Sequence, residues 1–298
     1  MTIAIATPTG NIGSRVTQRL LDAGAKLVLL VRNPDKLDEK VRPSVEVRQG
    51  SLNDADFVIE ATRGAEALFW LTPYNFTTDR LRQWQSHLGD CVVAAVQRNE
   101  IPYVVNISSN GAHLKDGMGP ISGLYVVEQK LNQIAVNVVH LRPGFFMENY
   151  FWQLESLSTS GQVFMPIPGD RRLAMIATQD IADVAASLLR DRSWAGQIIR
   201  GLHGPADLSF DQAATILSQE LNKPITHVQI ASEQFRQAML SQGASADVAM
   251  QYVEMWQAIS HEDYIPAEPR AAETTTPTTF VQFTRDKLKP LLLAQVRV

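Results

Sequence analysis

The first half of the chain alternates short apolar runs with amphipathic segments, and this alternation limits the possible folds more than any other feature. The apolar runs have the length and composition of buried strands and read TIAIA, KLVLLV, VEVRQ, ALFWLT, YVVNIS and VNVVHLR. Amphipathic stretches with helical periodicity separate several of them, for example SRVTQRLLDAG and GLYVVEQKLNQI. This order predicts an α/β fold, namely a Rossmann-type, doubly wound parallel sheet with helices on both faces.

The pattern changes after residue 144. An aromatic-rich stretch, FFMENYFWQLESL, is followed by loop-like segments, further helices and isolated strands. We predict a first, Rossmann domain over residues 1–144, completed by about residues 171–192, and a smaller, interwoven α+β substrate domain over residues 145–298. The polar stretch AEPRAAETTTPTTF is predicted to be a surface loop. At the helix ends, Asn53 is expected to cap the second helix and Gly24 to end the first.

Composition and charge argue against several classes of function. The chain has 298 residues and a net charge of −4, whereas proteins that neutralise phosphate backbones carry a clustered basic excess. Direct binding of nucleic acid is therefore not expected. No apolar stretch is long enough to span a membrane, and the first residues lack the pattern of a signal peptide. We expect a cytoplasmic monomer or homodimer with no membrane partner.

The cysteine and histidine content argues against disulfides and metal sites. Cys91 is the only cysteine and lies in the apolar run CVVAAV, so it is expected to be a small buried hydrophobic residue. The six histidines occur singly, without the spacing of a metal site. The sequence therefore predicts no bound metal.

The segment ATPTGNIG, between the first strand and the first helix, resembles a dinucleotide-binding turn with one glycine missing. Gly10 and Gly13 keep the positions that allow backbone approach to a pyrophosphate and close helix packing, and Thr7 replaces the first glycine. Because Pro8 favours an extended residue before it, Thr7 is expected to keep a negative φ. Two glycines alone are also compatible with an ordinary strand-to-helix turn.

Arg32 ends the second strand, where dinucleotide-binding proteins recognise the adenosine ribose. An acidic residue there suits the hydroxyls of NAD, whereas an arginine suits the 2′-phosphate of NADP. The sequence therefore favours NADP(H) over NAD(H), with NAD(H) still possible. The alternative is a solvated strand-end charge whose partner is Asp35, three residues away.

Several motifs together resemble those of the NmrA-like atypical short-chain dehydrogenase/reductases. They are TPTGNIG, VRNPDK, NISSNGA, VNVVHLRPGFFMENY and TQDIADVAASLL, spread over most of the chain. The group includes triphenylmethane reductase, quinone reductases and NADP-sensing regulators. The resemblance implies a dinucleotide site made by Thr7, Thr9, Gly10, Asn11, Ile12, Arg32, Ser51, Leu52, Thr72, Pro73, Asn106, Ser108, Pro143 and Gly144. Ser51 stands where family members usually carry an aspartate near adenine.

The catalytic pattern of ordinary short-chain dehydrogenases is incomplete in this chain. A serine pairs there with Tyr-x-x-x-Lys on one helix face, and the lysine lowers the pKa of the tyrosine. Ser108 and Tyr125 are in place, but Gln129 occupies the lysine position. Lys130, five residues after the tyrosine, is expected about 140° around the helix from it. His113, in the loop after the fifth strand, is a further candidate for a proton donor.

The resemblance leaves two hypotheses of different kinds. The first is an enzyme that transfers a hydride from NADPH to a small, planar, hydrophobic acceptor such as a quinone, dye or enone, because an electron-poor acceptor needs mainly correct placement. Its acceptor is expected to contact Tyr74, Phe145, Phe146, Asn149, Tyr150 and Trp152. Those aromatic side chains can instead simply pack the two domains together. The second hypothesis is a non-catalytic redox sensor that binds NADP(H) and acts through protein contacts.

Overall fold

The computed structural model describes residues 2–134 and 137–295. Its centre is a parallel seven-stranded sheet with the strand order β10-β6-β5-β4-β1-β2-β3. The bounds of these strands are β1 Thr2–Ala6, β2 Lys26–Val31, β3 Glu46–Gln49, β4 Ala67–Leu71, β5 Tyr103–Ile107, β6 Asn137–Pro143 and β10 Gln197–Leu202. The strand order reverses between β1 and β4, as in a Rossmann fold, so the predicted fold class is confirmed.

Helices cover both faces of the sheet. Their bounds are α1 Asn11–Asp22, α2 Ala55–Ala61, α3 Leu81–Arg98, α4 Pro120–Asn132, α5 Leu154–Thr159, α6 Thr178–Arg190, α7 Phe210–Leu221, α8 Ser232–Ser241, α9 Ala246–Ser260, α10 Phe280–Phe283 and α11 Lys289–Gln295. Side chains of α1 and α6 share one apolar core with alternate strand residues, and those of α2, α3 and α4 share another on the opposite face. Cys91 lies fully buried in the second of these cores, as expected.

The chain leaves the central sheet after β6 and later returns to it. The helix α6 packs in the same core as α1, and β10 adds a parallel strand beside β6. Both α6 and β10 therefore belong to the central sheet and its helical layer, although they follow residue 144. The two predicted domains therefore interleave along the chain. The domain boundary at residue 144 stays a prediction.

The remaining elements build a smaller unit above the carboxyl-terminal edge of the sheet. They include two short sheets, one made by β11 (Asp207–Ser209), β9 (Arg172–Ile176) and β7 (Phe145–Phe146), the other by β12 (Thr226–Gln229) and β8 (Gln162–Met165). A third apolar core, rich in aromatic side chains from α7, α9 and α10, holds this unit together. The sequence did not predict the short strands β7 and β11.

One helix cap differs from the expectation. Asp54, rather than Asn53, caps α2, because the Asp54 carboxylate accepts a hydrogen bond from the Phe57 amide at 3.2 Å. Asn53 instead accepts from the Ser51 hydroxyl. Gly24 adopts a positive φ of 75° just after α1 ends, which is the conformation expected of a glycine at this position.

Candidate functional site

The turn between β1 and α1 keeps the geometry of an anion-binding turn. Gly10 is the N-cap of α1 and makes no side-chain cap, and the first turn carries no acidic residue, so the helix supplies no counter-charge at its own positive end. A Cβ on Gly13 would overlap the Thr7 carbonyl oxygen, whereas one on Gly10 would meet that oxygen only at 3.6 Å. The close packing at Gly13 and the open surface at Gly10 are the two features the pattern predicts.

The expected conformation of Thr7 is wrong. Its φ is +54°, in the left-handed region, although a proline follows it. The Gly10 amide donates to the Thr7 carbonyl at 3.2 Å and closes the turn, and Gly13 packs directly against it. These contacts hold Thr7 in a conformation that its sequence neighbours alone disfavour. Thr7 thus fills the place of the missing glycine by adopting the conformation of one.

Arg32 lies exposed at the end of β2, and its guanidinium makes no ion pair among the described residues. Asp35, the alternative partner, pairs with Arg42 instead at 3.4 Å. The interpretation of Arg32 as one half of a local pair with Asp35 is therefore wrong. At the neighbouring strand end, Leu52 is buried and Ser51 is half-buried.

Along the same edge of the sheet, several buried polar atoms find no hydrogen-bond partner among the described residues. They are Thr7 Oγ1 after β1, Asn106 Oδ1 within β5, and Ser108 Oγ and Asn110 Oδ1 after β5. A buried polar atom that makes no hydrogen bond is costly, so such atoms mark places where a ligand can supply the partner. The predicted dinucleotide, with its phosphates, ribose hydroxyls and carboxamide, fits this set of donors and acceptors.

Asn106 is positioned by a polar chain behind the sheet. Its Nδ2 group donates to His140 Nδ1 at 3.0 Å, and His140 Nε2 donates to Asn132 Oδ1 at 3.0 Å. Burial lowers the pKa of His140 to about 4, with nearby Arg142 acting in the same direction and Glu128 opposing it. A neutral imidazole thus fixes the amide of Asn106.

The residues after β4 and β6 are held by local contacts. Trp70 Nε1 donates to the Thr72 hydroxyl and Trp84 Nε1 to the Pro73 carbonyl, both at 3.2 Å. The Pro143 carbonyl accepts from the Asn110 amide at 3.0 Å, so the ends of β5 and β6 are tied together. A Cβ on Gly144 would overlap the Ala174 carbonyl, which makes glycine necessary there.

A cleft of about 390 Å³ opens between this edge and the smaller unit. Its near wall includes Ser109, Asn110, Pro143 and Gly144, and its far wall comes from α9 and the segment that follows. Of the predicted acceptor residues, four line this cleft, namely Tyr74, Phe145, Phe146 and Asn149. Phe145 also packs edge-on against Phe210, with ring centroids 5.5 Å apart, so it serves both the cleft and the core.

Two of the predicted acceptor residues lie elsewhere. Tyr150 is buried in the aromatic core, with its hydroxyl sealed away from the cleft, so we leave it out of the acceptor site. For this residue, the alternative of simple packing is what the structure shows. Trp152 is 72% exposed and lines an adjoining cavity of about 530 Å³. The two cavities share Phe145 and Asn149 on one wall.

Comparison with known proteins agrees with this geometry. The profile of the NmrA-like family matches residues 1–281. The chain belongs to the NmrA-like family. An NAD(P)H azoreductase from Xenophilus azovorans is 26% identical over 263 residues, which is 88% of each chain. The expected family resemblance is thus confirmed, and the relatives of this NmrA-like protein include an NAD(P)H-dependent oxidoreductase.

Two solved structures have the same fold as this chain. An NADPH-dependent quinone oxidoreductase (QOR2) from Escherichia coli, complexed with NADPH, superposes with a TM-score of 0.71 at 20% identity, covering 94% of this chain and 97% of its own. NmrA, a negative transcriptional regulator in complex with NAD, superposes with a TM-score of 0.73 at 17% identity, covering 99% and 97%. One of these neighbours is an oxidoreductase and the other a negative transcriptional regulator.

The NmrA-like chain lacks the usual tyrosine–lysine pair. Tyr125 is half-buried against the aromatic core and is not among the residues that line the cleft. Lys130 lies on the other side of α4 from Tyr125, as the helix geometry predicts, and it pairs with Asp90 of α3. The other two candidates are Ser108, whose Oγ is buried without a partner, and His113, which is half-buried and outside the cleft lining.

The sequence did not predict a buried cluster of one arginine and two glutamates that lies next to the cleft. Arg142 donates to both oxygens of Glu128, at 2.9 and 2.7 Å, and to Glu268 at 2.7 Å. The three side chains come from β6, α4 and the segment before α10, so the cluster anchors that segment beside Pro143. Two signals were available, the arginine within an apolar strand and the glutamate on the buried face of α4.

The tyrosines and tryptophan of the far wall were also missed. Tyr252, Trp256 and Tyr264 line the cleft, although they follow the near-wall residues by more than a hundred positions in the sequence. No local pattern in the sequence distinguishes them from core residues.

Over residues 2–134 and 137–295, no three His, Cys, Asp or Glu side chains are grouped closely enough to hold a metal ion. Within the same ranges, no helix combines the length and apolar character needed to cross a membrane.

Proposed function

We propose that this NmrA-like protein is an NADPH-dependent reductase that transfers a hydride to a small, planar, hydrophobic acceptor such as a quinone, a dye or an enone. The observation that carries the proposal is the cleft of about 390 Å³, which opens directly on the ends of β5 and β6 and has aromatic walls. In parallel α/β sheets, ligands bind outside the carboxyl ends of the strands, and flat apolar walls suit planar acceptors.

The residues present fit the cofactor that the proposal requires. The backbone from Thr9 to Ile12, at the start of α1, would hold the pyrophosphate, and Arg32 would hold the 2′-phosphate. Asn106, Ser108 and the Pro143–Gly144 backbone would border the nicotinamide, and Thr72 with Pro73 the adjacent ribose. Ser51 and Leu52 would lie near adenine. Bound NADPH supplies the hydride.

The chain itself contributes placement and exclusion of water. Phe145, Phe146 and Asn149 on one wall and Tyr74 at the mouth would hold the acceptor ring flat against the cofactor. Correct placement of two reactants provides a large part of the rate when the acceptor is already electron-poor. The missing tyrosine–lysine pair is therefore compatible with turnover. The named azoreductase and quinone oxidoreductase relatives support this reaction class.

The test is oxidation of NADPH in the presence of acceptors. We expect the purified chain to bind NADPH and to oxidise it when a naphthoquinone, a cationic triarylmethane dye or an aryl enone is added, as followed by the loss of absorbance of the reduced nicotinamide. Binding of NADPH with no oxidation by any acceptor would exclude the reductase. Failure to bind either nicotinamide cofactor would exclude every function considered for this site.

The choice of NADPH over NADH is tested at Arg32. Replacing Arg32 by Ala removes the only proposed contact to the 2′-phosphate, so the Kd for NADPH should rise about 10- to 100-fold while that for NADH changes little. Both constants are measured by titration of nucleotide fluorescence. The matched control is Arg98→Ala, an exposed arginine at the end of α3, which should change neither constant. An equal loss for both nucleotides would contradict the assignment.

A redox sensor without turnover is the second candidate. It is favoured by the NAD complex of the regulator NmrA among the structural neighbours and by the absence of the usual catalytic pair. The same NADPH assay separates the two, because a sensor would bind the nucleotide and leave every acceptor unreduced.

A further inference from the structure

Among the described residues, the near wall of the cleft offers no free hydroxyl at its open side. Ser109 Oγ bonds to the Asn110 carbonyl, and Ser108 Oγ lies fully buried below. A tyrosine from the far wall meets this surface instead. Tyr264 lines the cleft opposite Asn110, and no hydrogen bond to its hydroxyl is found among the described residues. Its hydroxyl is therefore available to a ligand.

Glycine at position 111 lets this tyrosine approach the loop after β5. Gly111 has a φ of +92°, and a Cβ built there would lie 3.2 Å from Tyr264 Cε2 and 3.5 Å from its hydroxyl oxygen. The edge of the phenol ring thus packs on the backbone that follows Asn110. This contact brings the hydroxyl to the same loop that would border the nicotinamide.

Arg171 fixes the ring in this position. Its guanidinium donates to the Tyr264 carbonyl at 2.8 Å and to the Ile259 carbonyl at 3.0 Å, and it lies 5.8 Å from the centre of the Tyr264 ring. The side chain of Tyr264 is about nine-tenths buried. A group held in this way is already arranged before the ligand arrives.

The surroundings keep the phenol protonated. Burial raises the pKa of Tyr264 to about 12, with Glu268 acting in the same direction and Arg171 opposing it. At neutral pH the hydroxyl is therefore a hydrogen-bond donor and neither a base nor an anion.

We propose that the Tyr264 hydroxyl donates a hydrogen bond to the oxygen of a quinone or enone acceptor and stabilises the negative charge that forms there. This inference rests on the proposed reductase function. The acceptor gains a hydride, which carries two electrons and one proton, and its oxygen becomes an anion that then takes one proton from water. Tyr264 remains protonated throughout. Acceptors with an oxygen should therefore depend on Tyr264, whereas oxygen-free ones should not.

The test compares Tyr264→Phe on two kinds of acceptor. Phenylalanine keeps the ring and its packing on Gly111 while removing the donor. We expect kcat with a naphthoquinone to fall about 100-fold, the lower end of what the loss of one donor at a developing anion costs. The rate with an oxygen-free cationic triarylmethane dye should stay within about twofold, because hydride addition at carbon only neutralises the cation. The Kd for NADPH should not change.

The control variant is Tyr103→Phe. Tyr103 begins β5 and therefore lies at the opposite end of the strands from the cleft, so this variant should leave both rates unchanged. Equal losses of Tyr264→Phe on the two acceptors, or no loss on the quinone, would overturn the inference.

A binding measurement separates this inference from the proposed function. With NADP⁺ present, 4-nitrophenol serves as a probe whose absorbance reports ionisation and hydrogen bonding. Wild type should bind it about tenfold more tightly than Tyr264→Phe and lower the pKa of the bound probe. If wild type shows this difference yet reduces no acceptor, the reductase is wrong and the donor assignment stands. No binding to wild type, or equal binding to both proteins, would refute the donor assignment.

Discussion

At the scale of single residues, the turn after β1 shows how a degraded motif keeps its geometry. The pattern predicted the close packing at Gly13 and the open surface at Gly10. It failed at Thr7, whose φ is positive. Local preference of a residue before proline favours an extended conformation. Packing of Gly13 against the Thr7 carbonyl and the hydrogen bond from Gly10 outweigh that preference, because they form only when the helix is docked.

The two glycines of the turn should respond differently to substitution by alanine. Gly13→Ala places a methyl group on the Thr7 carbonyl, so the backbone must shift and the free energy of unfolding should fall by about 3 kcal/mol. Gly10→Ala meets only ordinary contact at 3.6 Å and should change stability by less than about 0.5 kcal/mol. This variant should instead weaken the affinity for NADPH about tenfold, because the added methyl group blocks the approach of the pyrophosphate.

Urea unfolding and NADPH titration on both variants check this pair. Each variant is the control for the other, since one should lose stability and the other affinity. A stable Gly13→Ala, or a Gly10→Ala with wild-type affinity, would contradict the geometry.

At the scale of secondary-structure elements, polar side chains tie together β5, β6 and α4 behind the site. The chain from Asn106 through His140 to Asn132 crosses these three elements, and Arg142 with Glu128 makes a second link between β6 and α4. The apolar runs predicted β5 and β6 correctly, and the amphipathic pattern predicted α4. The pairing of polar residues across them was not predictable, because it depends on the register of parallel strands, such as Asn106 opposite His140.

The buried His140 makes stability depend on pH. Its pKa is lowered to about 4 from a model-compound value of 6.5, so the unfolded chain binds the extra proton first as the pH falls. This contribution is fully present above pH 6.5 and is lost between about pH 6.5 and pH 4. It amounts to about 2 kcal/mol between pH 7 and pH 5.

The measurement is urea unfolding at pH 7 and pH 5. His140→Gln should be less stable at pH 7 but should lose about 2 kcal/mol less than wild type on going to pH 5. His261→Gln, which alters an exposed histidine, should keep the wild-type difference. The same pH difference in His140→Gln as in wild type would show that His140 does not titrate in this way.

At the scale of the whole molecule, the cleft is assembled from parts of the chain that are far apart. The near wall follows β5 and β6, while the far wall comes from α9 and the segment around Tyr264. Asp180 of α6 accepts from the amide and hydroxyl of Thr278, at 2.9 and 2.6 Å, and Arg142 binds Glu268. These contacts anchor the middle and the end of the long segment 261–279 to β6 and α6, so they hold the far wall in place.

The sequence by itself determined the central sheet, the helices on its two faces, the nucleotide turn and the family. These follow from short-range patterns, since a buried parallel strand is a run of apolar residues and a turn is a fixed spacing of glycines. Only the tertiary structure decided that Thr7 takes a left-handed conformation, that Tyr150 belongs to the core, and that Tyr264 faces the cleft. Each of these depends on contacts between residues distant in the chain, and periodicity within one element carries no information about which distant side chain it meets.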